Sequence, residues 1–203
     1  MPRVSLTIDG RKVTVPQGTT ILKAARTIGV AIPTLCHFRG HRPRAVCRIC
    51  VVAVSGSSRL VPACVTPVTE GMQVETQAAD VIAVRRTLME FILAEHHDCG
   101  DPECQIERLA EQLGVQQTRF QAPALSGGNI FSTDFVQVIT QRCVHCDRCI
   151  SACASDRNVL SRRGNGAAVH VAIEKGADFG GVECSVCGDC VAACPAGGLA
   201  VAR

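Results

Sequence analysis

The 203-residue sequence has no Trp and no Tyr, and its six Phe bring the aromatic content to only 3%. Large aromatic side chains usually dominate the energetics of cores and interfaces, so another source of cohesion is required. No apolar run approaches the roughly 18 residues of a membrane span, and the opening Met1 to Gly10 holds no stretch of secretory-signal length. A cytoplasmic protein with no membrane span is the expectation. Neither sign of charge is in excess: 21 Lys and Arg stand against 18 Asp and Glu, a formal +3. The basic residues are scattered with no aromatics between them, which argues against nucleic acid as a partner. A Gly-rich dinucleotide loop, a flavin fingerprint and a nucleophile–base pair are also missing, so no catalytic centre of its own is expected.

What the chain has in abundance is sulfur. Fourteen of its residues are Cys, several times ordinary usage, within a sequence whose 47% apolar content allows a packed core. Disulfides seldom persist in a reducing compartment, so this count argues for metal thiolates before bridges.

The element pattern is α+β. Val4, Leu6 and Ile8 alternate with polar residues, Asp9-Gly10 is a hairpin dipeptide, and Val13 and Val15 continue on the returning strand. Thr19 or Thr20 can cap a helix carrying Ile21, Leu22, Ala24, Ala25 and Ile28, with Gly29 as its stop. A Cys-rich loop and short strands near Val51, Val61 and Met72 to Glu75 complete the order of a β-grasp over residues 1–77. Residues 78–129 read as a helical connector and linker, with Val81, Val84, Leu88, Phe91 and Ile92 recurring at helical spacing. Residues 130–203 hold a duplication: the Cys143 to Cys153 segment reappears 41 residues later as Cys184 to Cys194.

The first cysteine set is Cys36, Cys47, Cys50 and Cys64, spaced C-x10-C-x2-C-x13-C. Four thiolates from an irregular loop and a strand end suit a 2Fe-2S centre. The alternative, a four-Cys zinc site, ordinarily uses two C-x2-C knuckles, and only one such pair exists here.

Ile32-Pro-Thr-Leu-Cys36, Cys47-Arg-Ile-Cys50 and Val61-Pro-Ala-Cys64, followed by the helical stretch Ala78 to Glu95, resemble the N-terminal part of the large iron–sulfur subunit of respiratory NADH dehydrogenase. Similar segments occur in the diaphorase subunits of NAD-linked hydrogenases, in iron-only hydrogenases and in NAD-dependent formate dehydrogenases. The duplicated C-x2-C-x2-C-x3-C motif is that of a bacterial-type ferredoxin domain with two 4Fe-4S clusters. In that motif the fourth Cys serves the neighbouring cluster. The predicted sets are therefore Cys143, Cys146, Cys149 with Cys194, and Cys184, Cys187, Cys190 with Cys153. Ala154, rather than Pro, follows Cys153, which removes no ligand.

Between these sets the resemblance implies a His-plus-three-Cys cubane site, H-x3-C-x2-C-x5-C. Here the pattern is damaged. Two residues separate His96 from Cys99, the middle Cys is missing, and four residues separate Cys99 from Cys104. The degenerate site His96, His97, Cys99 and Cys104 would need Asp101, Glu103 or a partner subunit to complete a cluster. The other readings are a zinc site, a redox-active thiol pair and, as the leading expectation, a metal-free loop. His145 could tune the neighbouring sulfurs by hydrogen bonding; His37, His41 and His170 are assigned no chemistry, and Arg162-Arg163 reads as a solvated hairpin.

One 2Fe-2S and two 4Fe-4S clusters are thus expected, in a chain that ends nine residues after Cys194, with no room there for a hydrogenase or molybdopterin domain. The resemblance implies an electron-transfer subunit of a multisubunit oxidoreductase. Its partners would be a flavoprotein NAD(P)H-oxidising subunit and a catalytic subunit of hydrogenase or formate dehydrogenase class. The alternatives are an iron–sulfur redox sensor, for which one cluster would suffice, and a freely diffusing ferredoxin-like carrier, which needs less chain.

Overall fold

The computed structural model describes residues 2–38, 40–96, 104–121, 130–132, 136–153, 159–173 and 187–201. His97, Cys99 and Cys184 lie outside the described residues. The chain forms two compact units, Met1–Arg39 with Pro43–Met89, and Gly40–Arg42 with Glu90–Arg203.

In the first unit, β1 (Arg3–Ile8) and β2 (Arg11–Pro16) pair antiparallel with Leu6 opposite Val13 and Val4 opposite Val15. Asp9 and Gly10 both adopt left-handed backbone, φ 47° and 77°, the geometry whose twist matches a two-residue hairpin. Leu6, Ile8, Val13 and Val15 are buried, so the alternation puts one face of the ribbon into the core. Helix α1 (Ile21–Thr27) is capped by Thr20, whose hydroxyl accepts from the Lys23 N–H at 3.4 Å. Ile21, Leu22, Ala24 and Ala25 are buried against the sheet residues of the same cluster. Strands β3 (Val51–Val54), β4 (Val61–Pro62) and β5 (Gln73–Glu75) complete a five-stranded sheet of order β2-β1-β5-β3-β4, with β1 and β5 parallel. This is the expected β-grasp. Asp9 ties its turn to the end of β5, its carboxylate accepting from Thr76 N (2.7 Å) and Thr76 Oγ1 (2.6 Å).

Helix α2 (Ala79–Glu95) departs from the expected apolar face. Its buried stripe is Val81, Arg85, Met89 and Ile92, while Val84 and Phe91 are exposed. A charged residue is tolerated in this stripe because its donors are taken. Arg85 Nε and Nη2 donate to the Val51 carbonyl at 3.1 and 2.7 Å, and Nη1 donates to the Thr76 carbonyl at 3.0 Å. The guanidinium thus clasps α2 to the strand that begins immediately after Cys50.

In the second unit, Phe91 stacks on Phe120, ring centroids 4.0 Å apart and planes 15° from parallel. Arg119 beside it bonds Glu90 at 2.7 Å. Helix α3 is Gln105–Gln112. Strands β6 (Ile130–Ser132), β7 (Val136–Ile139) and β10 (Leu199–Val201) form a sheet of order β10-β7-β6, and β8 (Leu160–Arg163) with β9 (His170–Ile173) forms a hairpin. Two short helices, α4 (Arg148–Ala152) and α5 (Asp189–Ala192), begin inside the duplicated cysteine motifs. No described helix is long and apolar enough to cross a membrane.

Arg85→Met keeps the volume and helix propensity but leaves two carbonyls without their donor. It is expected to lower stability by about 2–4 kcal/mol, read as the denaturation midpoint of the intact protein by circular dichroism.

Candidate iron–sulfur sites

The first sulfur group sits where the loop after α1 meets the ends of β3 and β4. Cys50 directly precedes β3, and Cys64 lies just past β4. The Ala63 N–H donates to the Cys50 carbonyl at 3.0 Å, which fixes the two strand ends together. From the loop, the Cys47 thiol donates to Cys36 Sγ at 3.3 Å, and the Cys36 N–H points at Cys47 Sγ at 3.4 Å. Cys36, Cys50 and Cys64 are each 2% exposed. The group behaves as two thiol pairs. A hydrogen bond from Cys47 pulls the Cys36 thiol down to about 6, and one from Cys64 pulls Cys50 down to about 7. Cys47 and Cys64, the donors, are held protonated well above the ordinary thiol range. Ala45 and Arg48, flanking Cys47, both have left-handed backbone.

The second group lies in the other unit. Cys143, Cys146 and Cys149 lead into α4, and Cys194 lies beyond α5. The charges of these four act on one another, so Cys194 is brought to the first repeat rather than to its own. Cys190 is coupled in the same way to Cys153 and Cys187. Burial pushes the thiols of Cys143 and Cys190 up to about 11 and that of Cys146 up to about 12, and pushes Cys149 upward as well.

Backbone N–H groups aim at these sulfurs. His145 serves Cys143, Arg148 serves Cys146, Ile150 serves Cys149 and Val191 serves Cys190, while the Gly198 N–H reaches Cys194 Sγ at 3.2 Å. The turns that aim them are left-handed: His145 (φ 51°) and Asp147 (φ 60°) in the first motif, Gly188 (φ 78°) in the second. Asp147 and Gly188 occupy the same place in the two repeats, one residue after a Cys and at the N-cap of α4 and α5. Gly suffers no penalty there, whereas Asp is held from outside. Arg162 Nε and Nη2 donate to Asp147 Oδ1 at 3.0 and 2.7 Å, and Nη2 also donates to the His145 carbonyl. Arg162 is therefore a clamp on the sulfur loop, not the solvated hairpin residue expected from sequence. Its partner is 15 residues away, which no local pattern reveals. His145 Nδ1 lies 3.3 Å from Glu95 Oε2.

Whether such sites fit iron–sulfur clusters can be judged from the donors. Both groups are sulfur-only and, apart from exposed Cys187, buried or half-buried; N–H groups are directed at their sulfurs, and none of the 12 described Cys is in a disulfide. Sulfur donors with hydrogen-bonded sulfurs in irregular loops are what such clusters require. Of the degenerate site, His96 and Cys104 are brought together, with Nε2 to Sγ at 3.3 Å, and Glu107, which sequence reasoning did not select, joins them.

Fold and donors together define a two-part iron–sulfur protein. Residues 2–79 match the family described as 2Fe-2S iron-sulfur cluster binding domain, and residues 142–199 match the 4Fe-4S dicluster domain. The chain is 36% identical over 213 residues to the NADP-reducing hydrogenase subunit HndD of Solidesulfovibrio fructosivorans, covering 98% of this chain but only 36% of that one. It is 30% identical over 166 residues to the NAD-reducing hydrogenase HoxS subunit gamma of Cupriavidus necator, covering 78% of this chain and 70% of the relative. A crystal structure of an NAD+-reducing [NiFe]-hydrogenase in the H2-reduced state contains a chain that superimposes with a TM-score of 0.85 at 27% identity, over 98% of this chain and 87% of that one. The protein belongs to the family of iron–sulfur subunits of NAD(P)-linked hydrogenases and NADH dehydrogenase-type complexes.

The raised thiols give the sites a pH dependence of defined sign. A thiol that must lose its proton to bind metal competes worse as acid rises, and the higher its metal-free pKa the larger the proton competition. Cluster loss to a chelator, followed by bleaching of the visible absorbance, is expected to speed up at least about tenfold between pH ~8 and pH ~6. A rate independent of pH would show that thiol protonation does not drive cluster loss.

Proposed function

We propose that the chain is the iron–sulfur electron-transfer subunit of a multisubunit oxidoreductase, joining an NAD(P)H-oxidising flavoprotein subunit to a catalytic subunit of hydrogenase or formate dehydrogenase class. The observation that carries this reading is the coexistence, in one chain, of two sulfur-only sites of different architecture with likeness over 98% of its length to a chain of an NAD+-reducing hydrogenase. Clusters held in such sites supply one-electron carriers, whose potentials are set by burial, charge and hydrogen bonds to sulfur.

The residues divide as follows. Cys36 with Cys47 and Cys50 with Cys64, the two thiol pairs, hold one 2Fe-2S cluster. Cys143, Cys146, Cys149 and Cys194 hold one 4Fe-4S cluster; Cys184, Cys187, Cys190 and Cys153 hold the other. The chain's own work is positional. Ala63 and Arg85 fix the backbone at Cys50 and Cys64, Arg162 fixes the turns around Cys146, and the surrounding apolar residues keep water from the sulfurs.

Iron and sulfide analysis with EPR on anaerobically purified, reduced protein tests the assignment. About 10 iron atoms per chain are expected, falling to about 8 in Cys64→Ser with loss of the binuclear signal, and to about 6 in Cys194→Ser. Fewer than about 4 irons with stoichiometric zinc would overturn it. The electron-transfer role is tested by adding a diaphorase flavoprotein and NAD(P)H. Reduction of the visible absorbance only when both are present is the expected result, and failure with every such flavoprotein that co-purifies would reject it.

A further inference from the structure

Among the described residues, one group of metal-ligating side chains stands outside the sulfur sites. It joins the C-terminal end of α2 to the start of α3. The His96 N–H is held by the carbonyls of Ile92 and Leu93 at 3.0 and 3.2 Å, so its backbone continues the last helical turn. Cys104 is the N-cap residue of α3 and makes no side-chain capping bond. That position, at the positive end of a helix, favours an anionic ligand. Glu107 follows three residues later, a spacing that puts it above Cys104 on one face. Cys104 and the His96 side chain are each 3% exposed, whereas the Glu107 side chain is 54% exposed, so the group is buried on two sides and open to water on the third.

Distances decide what such a group can hold. His96 Nε2 lies 3.3 Å from Cys104 Sγ and 3.9 Å from Glu107 Oε1, and all three donor atoms fall within 4.8 Å of one another. Tetrahedral zinc, with bonds of about 2.0–2.3 Å, sets neighbouring donors about 3.3–3.8 Å apart. The two separations from His96, 3.3 and 3.9 Å, match within a few tenths of an ångström, and the third closes to within 4.8 Å. A cubane cluster instead spreads its corner ligands over different irons, roughly 6 Å from one another. The described residues here offer a single thiolate with an imidazole half that distance away, and they do not fit a cubane.

We propose that His96, Cys104 and Glu107 form a mononuclear site for a zinc-class divalent cation, with water completing its coordination. Imidazole, thiolate and carboxylate are all ordinary zinc donors, and a three-residue set leaves one position open. The inference is independent of the electron-transfer reading, because metal content is measured without turnover.

The test is elemental analysis of the full chain, purified anaerobically. Zinc is scored only in preparations holding about 10 irons per chain, so that zinc in empty iron–sulfur sites is not counted. Wild type is expected to hold about one zinc, and Cys104→Ser less than about a tenth of one. Glu107→Gln, at an exposed position, should keep its fold and its 2Fe-2S EPR signal but lose zinc to a chelator at least about tenfold faster than wild type. Zinc X-ray absorption should show one sulfur at about 2.3 Å with nitrogen and oxygen at about 2.0–2.2 Å. Absence of zinc at full iron loading would overturn the proposal. So would zinc that neither substitution affects, or about four extra irons lost with Cys104.

Discussion

Burying a thiol disfavours its charged form, and this chain buries many thiols that a metal must bind as thiolates. The rest of the structure is arranged around that cost. In the first unit Cys50 and Cys64 are core residues, packed with Ile21, Leu22, Val52 and Val74. In the second, Cys149 is part of the core and Cys143, Cys153, Cys190 and Cys194 pack against it. Cys143, Cys146 and Cys149, driven up by burial, each also receive a backbone N–H that favours the thiolate, but this only partly offsets desolvation. A bound cationic core supplies the remainder, so metal binding becomes part of the folding free energy. That explains how a chain without Trp or Tyr sustains two cores.

The duplicated motif shows how the same backbone is reached by two routes. At the residue after the second Cys of each motif the chain must turn left-handed to aim the following N–H groups at sulfur. Gly188 does so without strain and meets nothing within 4 Å of where a Cβ would lie. Asp147 does so at a cost of about 1 kcal/mol, and its side chain, 2% exposed, is paired with Arg162. The repeat has therefore traded a glycine for an ion pair, and with it gained a connection from the sulfur loop to β8. A neutral turn became one that depends on a residue elsewhere in the fold.

Those long-range partners mark the boundary of what the sequence displays. The hairpin at Asp9-Gly10, the capping of α1 by Thr20 and the cysteine spacings are local, and each could be read from adjacent residues. The burial of Arg85 could not, because its acceptors are carbonyls at Thr76 and Val51, the latter 34 residues away. Helical periodicity therefore selected Val84 and Phe91 for the buried face of α2, where the structure uses Arg85 and Met89. Phe91 instead covers itself with Phe120. Glu107 escaped notice for a related reason. Its importance comes from the return of α3 toward His96, which no motif encodes.

The connector is more than a spacer between two sulfur-bearing units. Helix α2 carries Arg85 in its first half, bonded to the strand that follows Cys50, and Glu95 at its end, 3.3 Å from the imidazole of His145 beside Cys146. Helix α3 begins with Cys104 and Gln105, and Gln105 Oε1 accepts from Arg148, the residue preceding Cys149, at 2.8 Å. His96 and Cys104 are the points at which these two helices meet. A cation shared by His96, Cys104 and Glu107 would close an eight-residue separation into a fixed corner, removing loop entropy at small strain because His96 already lies near bonding separation from both partners. A loop that lacks one Cys of a cluster pattern can in this way keep the mechanical role of a cluster, with a redox-inert ion holding the two helix ends that position residues beside the sulfurs.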